Sequence, residues 1–213
     1  QPLEEAARTA TRKPLVGVLG SYDSGKSTII NSLLGSASMP TSYQPQTFLV
    51  TYIHHLDDRP AGSEDEVFLM TDSFNPSAWR SGDTFQDNEV LKSGSLALLA
   101  RTDEADSRAS TAMVFLDAPV LRACSLVDSP GSLERYGHEQ DNDITTVKIT
   151  TLDAAIICSP VNGFMNSDSL AHTLDALHLL SPHAGPMFDR LLIVVTHAHA
   201  RVSDAVLENE IVK

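Results

Sequence analysis

The chain has 213 residues, enough for one domain with a sizeable core. Its apolar fraction of 42% is ordinary and no apolar run reaches the length of a membrane span, so solubility is the default expectation. The formal charge of −13, counting His as neutral, disfavours sequence-independent nucleic-acid binding and adhesion to anionic lipid.

In chain order, the opening Gln1-Pro-Leu-Glu-Glu-Ala-Ala-Arg8 is short and charged and lacks the apolar stretch of a signal peptide. With no initiating Met, the chain is expected to be an excerpt or a processed product. Residues 1–13 read as the end of a helix or a linker feeding the first strand. That strand, Leu15–Leu19, runs into Gly20-Ser-Tyr-Asp-Ser-Gly25-Lys26-Ser27-Thr28 and then into an amphipathic helix from Lys26 to Leu34 that ends at Gly35. The spacing G-x-x-x-x-G-K-[ST] is short enough to arise by accident, but accident does not also supply the strand before it and the helix after it.

Each part of the spacing has a chemical use. Gly20 and Gly25 permit backbone angles that a Cβ resists, so the N–H groups of Gly20, Ser21, Tyr22, Asp23 and Ser24 can curl around a polyphosphate. Lys26 reaches the terminal phosphates, and Ser27 offers a hydroxyl to Mg²⁺. The helix begins at the anion, so its unsatisfied N–H groups and positive dipole end face the phosphates. A glycine turn with no ligand is the weaker alternative.

Beyond this loop, 36–46 is rich in Pro and Ser and reads as a loop, and 48–53 and 67–70 as strands. The spacing of Val90, Leu91, Leu96, Leu98 and Leu99 predicts a helix over 88–101, weakened by Gly94. Strands are predicted at 113–116 and 123–127, and the short connection between them predicts an antiparallel pair. A helix around 141–151 and a strand at 154–158 follow. Asn166, Ser167 or Asp168 can cap a helix carrying Leu170, Leu174 and Leu177. The last strand, 191–195, is apolar throughout, which predicts a central position. Strands alternating with helices make the fold class α/β, a phosphate-loop three-layer sandwich with a mostly parallel sheet and one antiparallel pair. Cys124 and Cys158 fall in apolar strands and read as buried free thiols of a reducing compartment.

A second site signal is Asp128-Ser-Pro-Gly131 at the end of a strand. A carboxylate at the C-terminal edge of a strand beside the phosphate loop is where a further Mg²⁺ contact belongs, and Gly131 lets the backbone approach the γ-phosphate. A bare Pro-Gly turn would be the default were the motif alone.

Taken together, Gly20 to Gly35, then Met39-Pro40 leading to Pro45-Gln46-Thr47, then Asp128-Ser-Pro-Gly131, resemble the GTPase domain of the dynamin superfamily, most nearly its bacterial branch. The resemblance covers nearly all of 14–200, and 14–213 is expected to be one such domain. It implies that 38–47 is a nucleotide-dependent switch in which Thr47 contacts Mg²⁺ and orients water. It implies GTP as substrate, GDP as product, Mg²⁺ as cofactor and a homodimer facing across the nucleotide. A cytoplasmic location, peripheral on a membrane, is expected, with membrane contact made through regions outside this chain. The domain's last strand and helix and any membrane-contacting tip are expected beyond Lys213. In that family and in potassium-dependent relatives, the residue at the position of Asp23 helps to hold a monovalent cation, which makes Asp23 a candidate K⁺ or Na⁺ ligand and a catalytic residue beside Lys26 and Thr47.

The chain departs from the family at base recognition. Where the family carries Thr-Lys-x-Asp, this sequence has Thr196-His197-Ala198-His199. A carboxylate accepts from both N1–H and the exocyclic amine of guanine, whereas a neutral imidazole accepts one hydrogen bond. Guanine preference is therefore expected to weaken or to come from other groups, although Thr-His-Ala also resembles the motif of the chloroplast-import and immunity-associated GTPases. Two alternatives stay open: a non-catalytic nucleotide-responsive scaffold, and an ATPase of another phosphate-loop lineage. A structural metal at His197 and His199, or at His54-His55, is not favoured, since no third ligand is evident nearby.

Overall fold

The computed structural model describes residues 12–21, 23–39, 49–100, 109, 111–129, 152–163, 180 and 186–197. Within them, eight strands form one sheet: β1 Leu15–Leu19, β2 Val50–His55, β3 Val67–Met70, β4 Val90–Gly94, β5 Thr111–Leu116, β6 Ser125–Asp128, β7 Ala154–Pro160 and β8 Leu191–Thr196. The helix after the phosphate loop, α1, is Lys26–Leu34. The strand order is β4-β3-β5-β2-β6-β1-β7-β8. Pairings β1–β6, β1–β7, β2–β5 and β7–β8 are parallel, while β2–β6, β3–β4 and β3–β5 are antiparallel. The α/β class with a mostly parallel sheet thus describes the chain.

Alternation along the strands divides the core into two faces. Val18, Ile53, Leu69 and Leu126 point to the face covered by α1, whose Lys26, Ile30 and Leu34 recur every fourth residue and are all buried. Leu19, Tyr52, Phe68, Val127 and Ile157 point to the other face. There the segment between β3 and β4 folds back, and Phe74, Trp79 and Phe85 pack edge-on and stacked against one another, with Phe68 and Phe115 beneath.

Four sequence expectations are corrected. The segment 88–101 is strand β4 followed by a 3-10 turn, Leu96–Ala100, not a helix. The open edge of β3 offers a ladder from Val67↔Gly94 to Met70↔Val90, and that pairing outweighs a helical spacing already interrupted by Gly94. β5 and β6 run in opposite senses but are not neighbours, because β2 lies between them. The connection from Leu116 to Ser125, with its 3-10 turn Pro119–Arg122, is long enough to cross the roughly 10 Å of two strand spacings. β8 is not central: among the described residues it is the last strand of the order, and Leu192 is 57% exposed. The predicted helices around 141–151 and after 166–168 lie outside the described residues. Both cysteines are free; Cys158 is buried, whereas Cys124 is only half-buried.

The base of the sheet is braced by charge. Arg12 makes a two-pronged contact with Asp153, at 2.6 and 2.8 Å, and Lys13 Nζ donates to Asp58 Oδ2 at 2.5 Å and to the Leu121 carbonyl at 3.2 Å. Burial works against the Asp58 carboxylate, but Lys13 and the Ser81 hydroxyl hold it below its ordinary value.

Candidate nucleotide site

The turn from β1 into α1 has the shape its glycines allow. Gly20 stands at φ +148°, where an added Cβ would lie 2.4 Å from the Cys158 carbonyl oxygen, and Gly25 at φ +85°. Between them Asp23 takes a left-handed conformation at φ +59°, one that Asp tolerates better than most side chains. The Ser24 N–H donates to the Ser21 carbonyl at 3.2 Å and closes the curve. Gly25 caps α1 and supplies no side-chain acceptor, so the first amides of the helix are left for an anion. Ser27 and Thr28 follow on the first turn, half-buried and exposed respectively.

Lys26 lies inside the curve. It is only 8% exposed, and its ammonium donates to the carbonyls of Gly20 at 2.9 Å and Ser21 at 2.8 Å. Burial pushes its pKa down, while Asp128, Cys158 and Asp23 pull it back up. Asp128 ends β6 directly beside Val18 of β1 and opposite Thr51 of β2, so the parallel register of β1 and β6 sets a buried carboxylate next to the start of the loop. Cys158 is kept protonated beneath the loop, its thiol pushed by burial to about 11.

This arrangement fits a Mg²⁺-bound triphosphate. It combines a glycine cradle that a Cβ would fill, an uncapped helix N-terminus, a buried lysine, the Ser27 hydroxyl and the Asp128 carboxylate. The structure brings together Gly20, Ser21, Asp23, Ser24, Gly25, Lys26, Ser27, Thr28 and Asp128 as the spacing predicts. Tyr22, Thr47, Gly131 and His199 lie outside the described residues.

The end of β8 also meets the loop. Thr196 Oγ1 donates to the Ser24 carbonyl at 2.7 Å, and His197 Nε2 lies 3.1 Å from the Asp23 carbonyl. A further pair of bonds was not visible in the sequence. The Asn31 amide donates to the Met39 carbonyl at 2.9 Å and accepts from the Met39 N–H at 2.8 Å, fastening α1 to the chain just before 40–48. A polar residue on a helix ordinarily reads as a solvated one, and no spacing marks Asn31 as different. His54 and His55 sit at the other end of the sheet, because β2 runs against β6. His54 packs against Trp79 and Phe115 and shares a 2.8 Å hydrogen bond with Ser125.

A glycine cradle on a buried lysine, at the C-terminal end of a parallel strand with a carboxylate on its neighbour, defines a phosphate-loop nucleotide-binding protein. More particularly, the chain belongs to the Dynamin family, whose model matches residues 16–198. It is 26% identical over 162 residues to Dynamin-like protein 2 of Campylobacter jejuni, a match covering 75% of this chain and 23% of that protein. Two solved structures of an oligomerised bacterial dynamin pair, described as a mechanism for long-range sensing and tethering of membranes, share its fold. Their TM-scores are 0.61 and 0.59 at 21% and 20% identity, each covering 97% of this chain and 29% of the other. The chain therefore spans about a quarter of the length of these relatives. GTP binding and hydrolysis, with Mg²⁺, are the general activity of the family. No helix among the described residues is long and apolar enough to cross a membrane.

Proposed function

We propose that this chain binds GTP and hydrolyses it, as the nucleotide-driven switch of a bacterial dynamin-like protein. The observation that carries the reading is the buried ammonium of Lys26 within a loop whose first glycine, Gly20, admits no Cβ, with Asp128 registered beside the strand that enters it. In this reading Lys26 and the loop amides, apart from the Ser24 N–H that closes the curve onto Ser21, hold the phosphates, and the Gly131 N–H meets the γ-phosphate. Ser27 and Thr47 would hold Mg²⁺, with Asp128 behind them. The ion, when bound, neutralises charge on the β- and γ-phosphate oxygens. Thr47 orients a water whose oxygen bonds to the γ-phosphorus as the bond from that phosphorus to the bridging oxygen breaks, releasing GDP and phosphate. A dedicated general base is not required, because positioning and charge stabilisation dominate phosphoryl transfer.

Asp23 would ligate K⁺ or Na⁺ and so supply transition-state charge without an arginine from another chain. The oligomerised state of the related bacterial pair supports self-association, which we take to be a homodimer closing across the nucleotide face. Membrane sensing and tethering by that pair supports work at a membrane surface, through regions outside this chain, and we take the protein to be cytoplasmic and peripheral on that membrane. His197 and His199 favour a second reading for the base alone, in which adenine competes with guanine.

Calorimetric titration of the intact protein with GTP, GDP and ATP, followed by single-turnover phosphate release, tests the proposal. GTP bound more tightly than ATP, with phosphate released in Mg²⁺, is the expected result. Binding without release would leave a nucleotide-responsive scaffold, and equal binding of ATP would make the site a general purine site. Equal rates in K⁺, Na⁺ and a bulky organic cation would remove Asp23 from the cation role.

A further inference from the structure

We infer that segment 71–89 is an acid-released flap: it docks on the sheet over a neutral His54 and lifts when that imidazole takes up a proton. The device stands apart from the nucleotide reading, because His54 lies at the end of the sheet opposite the phosphate loop.

Between β3 and β4, 71–89 forms neither helix nor strand. Its ends meet where the Thr71 N–H donates to the Glu89 carbonyl at 2.9 Å, and its own rings, Phe74, Trp79 and Phe85, pack against one another. Such a loop is held by side chains and not by a ladder, so it opens more readily than the sheet beneath it. At its base it is fastened to Asp58. The Ser81 hydroxyl donates to Asp58 Oδ1 at 2.8 Å, and the Gly82 N–H to the Asp58 carbonyl at 3.1 Å.

His54 is enclosed on three sides. Trp79 of the flap covers it with ring centroids 4.8 Å apart, Phe115 of β5 lies 5.8 Å away, and the Ser125 hydroxyl of β6 shares a 2.8 Å hydrogen bond with Nδ1. Nε2 has no hydrogen-bond partner among the described residues, and neither has Trp79 Nε1. An imidazolium carries a hydrogen on both nitrogens, and a buried charged N–H without an acceptor is costly. The charges that act on the ring are Asp58, which favours the proton, and Lys13, which opposes it; Arg80 of the flap is turned back onto the Ser77 and Trp79 carbonyls. Burial outweighs Asp58 and any attraction of the cation to the ring faces, since it lowers the pKa from 6.5 to about 4. Relief requires water at Nε2. β5 and β6 are each paired on both sides within the sheet, so the side that yields is Trp79 and the flap.

Hydrogen exchange of the intact, nucleotide-free protein, read by mass spectrometry at pH 7 and about pH 4.5 and corrected for intrinsic rates, tests the inference. A group with pKa 6.5 when exposed and about 4 when docked raises the lifted fraction about sixtyfold between those pH values. That increase is expected in peptides from 71–89 while β5 and β6 stay protected. His54→Asn, which leaves the carboxylates of the flap in place, is expected to abolish it. Ser81→Ala removes one tie at the exposed rim and is expected to speed exchange of 71–89 about fivefold at both pH values. The ratio between them should persist, because Asp58, opposed by burial, is still held ionised by Lys13. An equal rise in β5 and β6 would make the event global unfolding and overturn the inference, as would a flat response in 71–89 or an increase that survives His54→Asn. A Ser81→Ala protein in which the ratio disappears would overturn it as well.

Discussion

Gly20 and Gly35 bracket the phosphate loop and its helix, and replacing each by Ala separates strain from obstruction. Gly35 caps the C-terminus of α1 at φ +72° with nothing within 4 Å of an added Cβ. Gly35→Ala therefore incurs only the left-handed penalty, about 1 kcal/mol of stability. Gly20 at φ +148° meets the Ser24 hydroxyl at 2.7 Å and the Cys158 carbonyl oxygen at 2.4 Å. The hydroxyl can rotate away. The carbonyl belongs to β7, which is paired on both sides by β1 and β8 and cannot yield. An ordinary carbon–oxygen contact is about 3.3 Å or more, so relief requires the loop to move by roughly 1 Å. That displacement, added to a glycine-only φ, is worth about 2 kcal/mol or more and falls on the curve that holds the phosphates, which corresponds to roughly thirtyfold weaker GTP binding. Calorimetric titration with GTP and urea denaturation of both variants of the intact protein measure the two effects. GTP affinity within about threefold of the parent in Gly20→Ala, or a matching loss of affinity in Gly35→Ala, would refute the reasoning.

Burial holds His54 neutral, with a pKa lowered from 6.5 to about 4, so the unfolded chain takes up a proton that the folded one refuses. This stability is present in full above pH 6.5 and is lost between 6.5 and about 4, by at most about 3 kcal/mol; Asp58, held below its ordinary value, adds its own loss only below about pH 4. His54→Asn is expected to flatten the slope of unfolding free energy against pH in that window, and an unchanged slope would exclude His54 as its source. Removing the Asn31 amide with Asn31→Leu loses two half-buried hydrogen bonds to Met39 and is expected to cost about 2 kcal/mol in denaturant titration. Asn31→Asp keeps the acceptor for the Met39 N–H and should fall between Leu and the parent.

What was legible in the sequence is what depends on neighbours along the chain. The loop from Gly20 to Ser27, the bounds of α1 from Lys26 to Leu34 and strand β3 follow from local turn chemistry and periodicity. Position in the sheet is not local. The run Leu191 to Val195 reads as central because it is apolar, yet β8 has only β7 beside it among the described residues. Likewise β5 and β6 are close in sequence and opposite in sense, but β2, drawn from far upstream, takes the place between them. The same limit applies to the site: Lys26, Asp128 and the segment Thr196-His197 announce themselves, whereas the bonds of Asn31 to Met39 and the loop carbonyls that Thr196 and His197 meet emerge only when the register of the sheet is known.

The phosphate half and the base half of this site therefore have separate physical origins. The cradle is built by consecutive residues and needs its glycines, lysine and serine at fixed spacing. Its fastening comes from a strand end 172 residues away in sequence and requires only an N–H or O–H of the right reach toward the Asp23 and Ser24 carbonyls. Lysine, in the motif the chain resembles, and histidine here can both supply such a donor, so the change at His197 is compatible with an intact phosphate site. The change at His199 is different in kind, because imidazole cannot replace the two acceptor oxygens of a carboxylate facing guanine. Under the proposed reading, affinity for the triphosphate and selectivity for its base rest on different residues, and titration with GTP and ATP reads the second apart from the first.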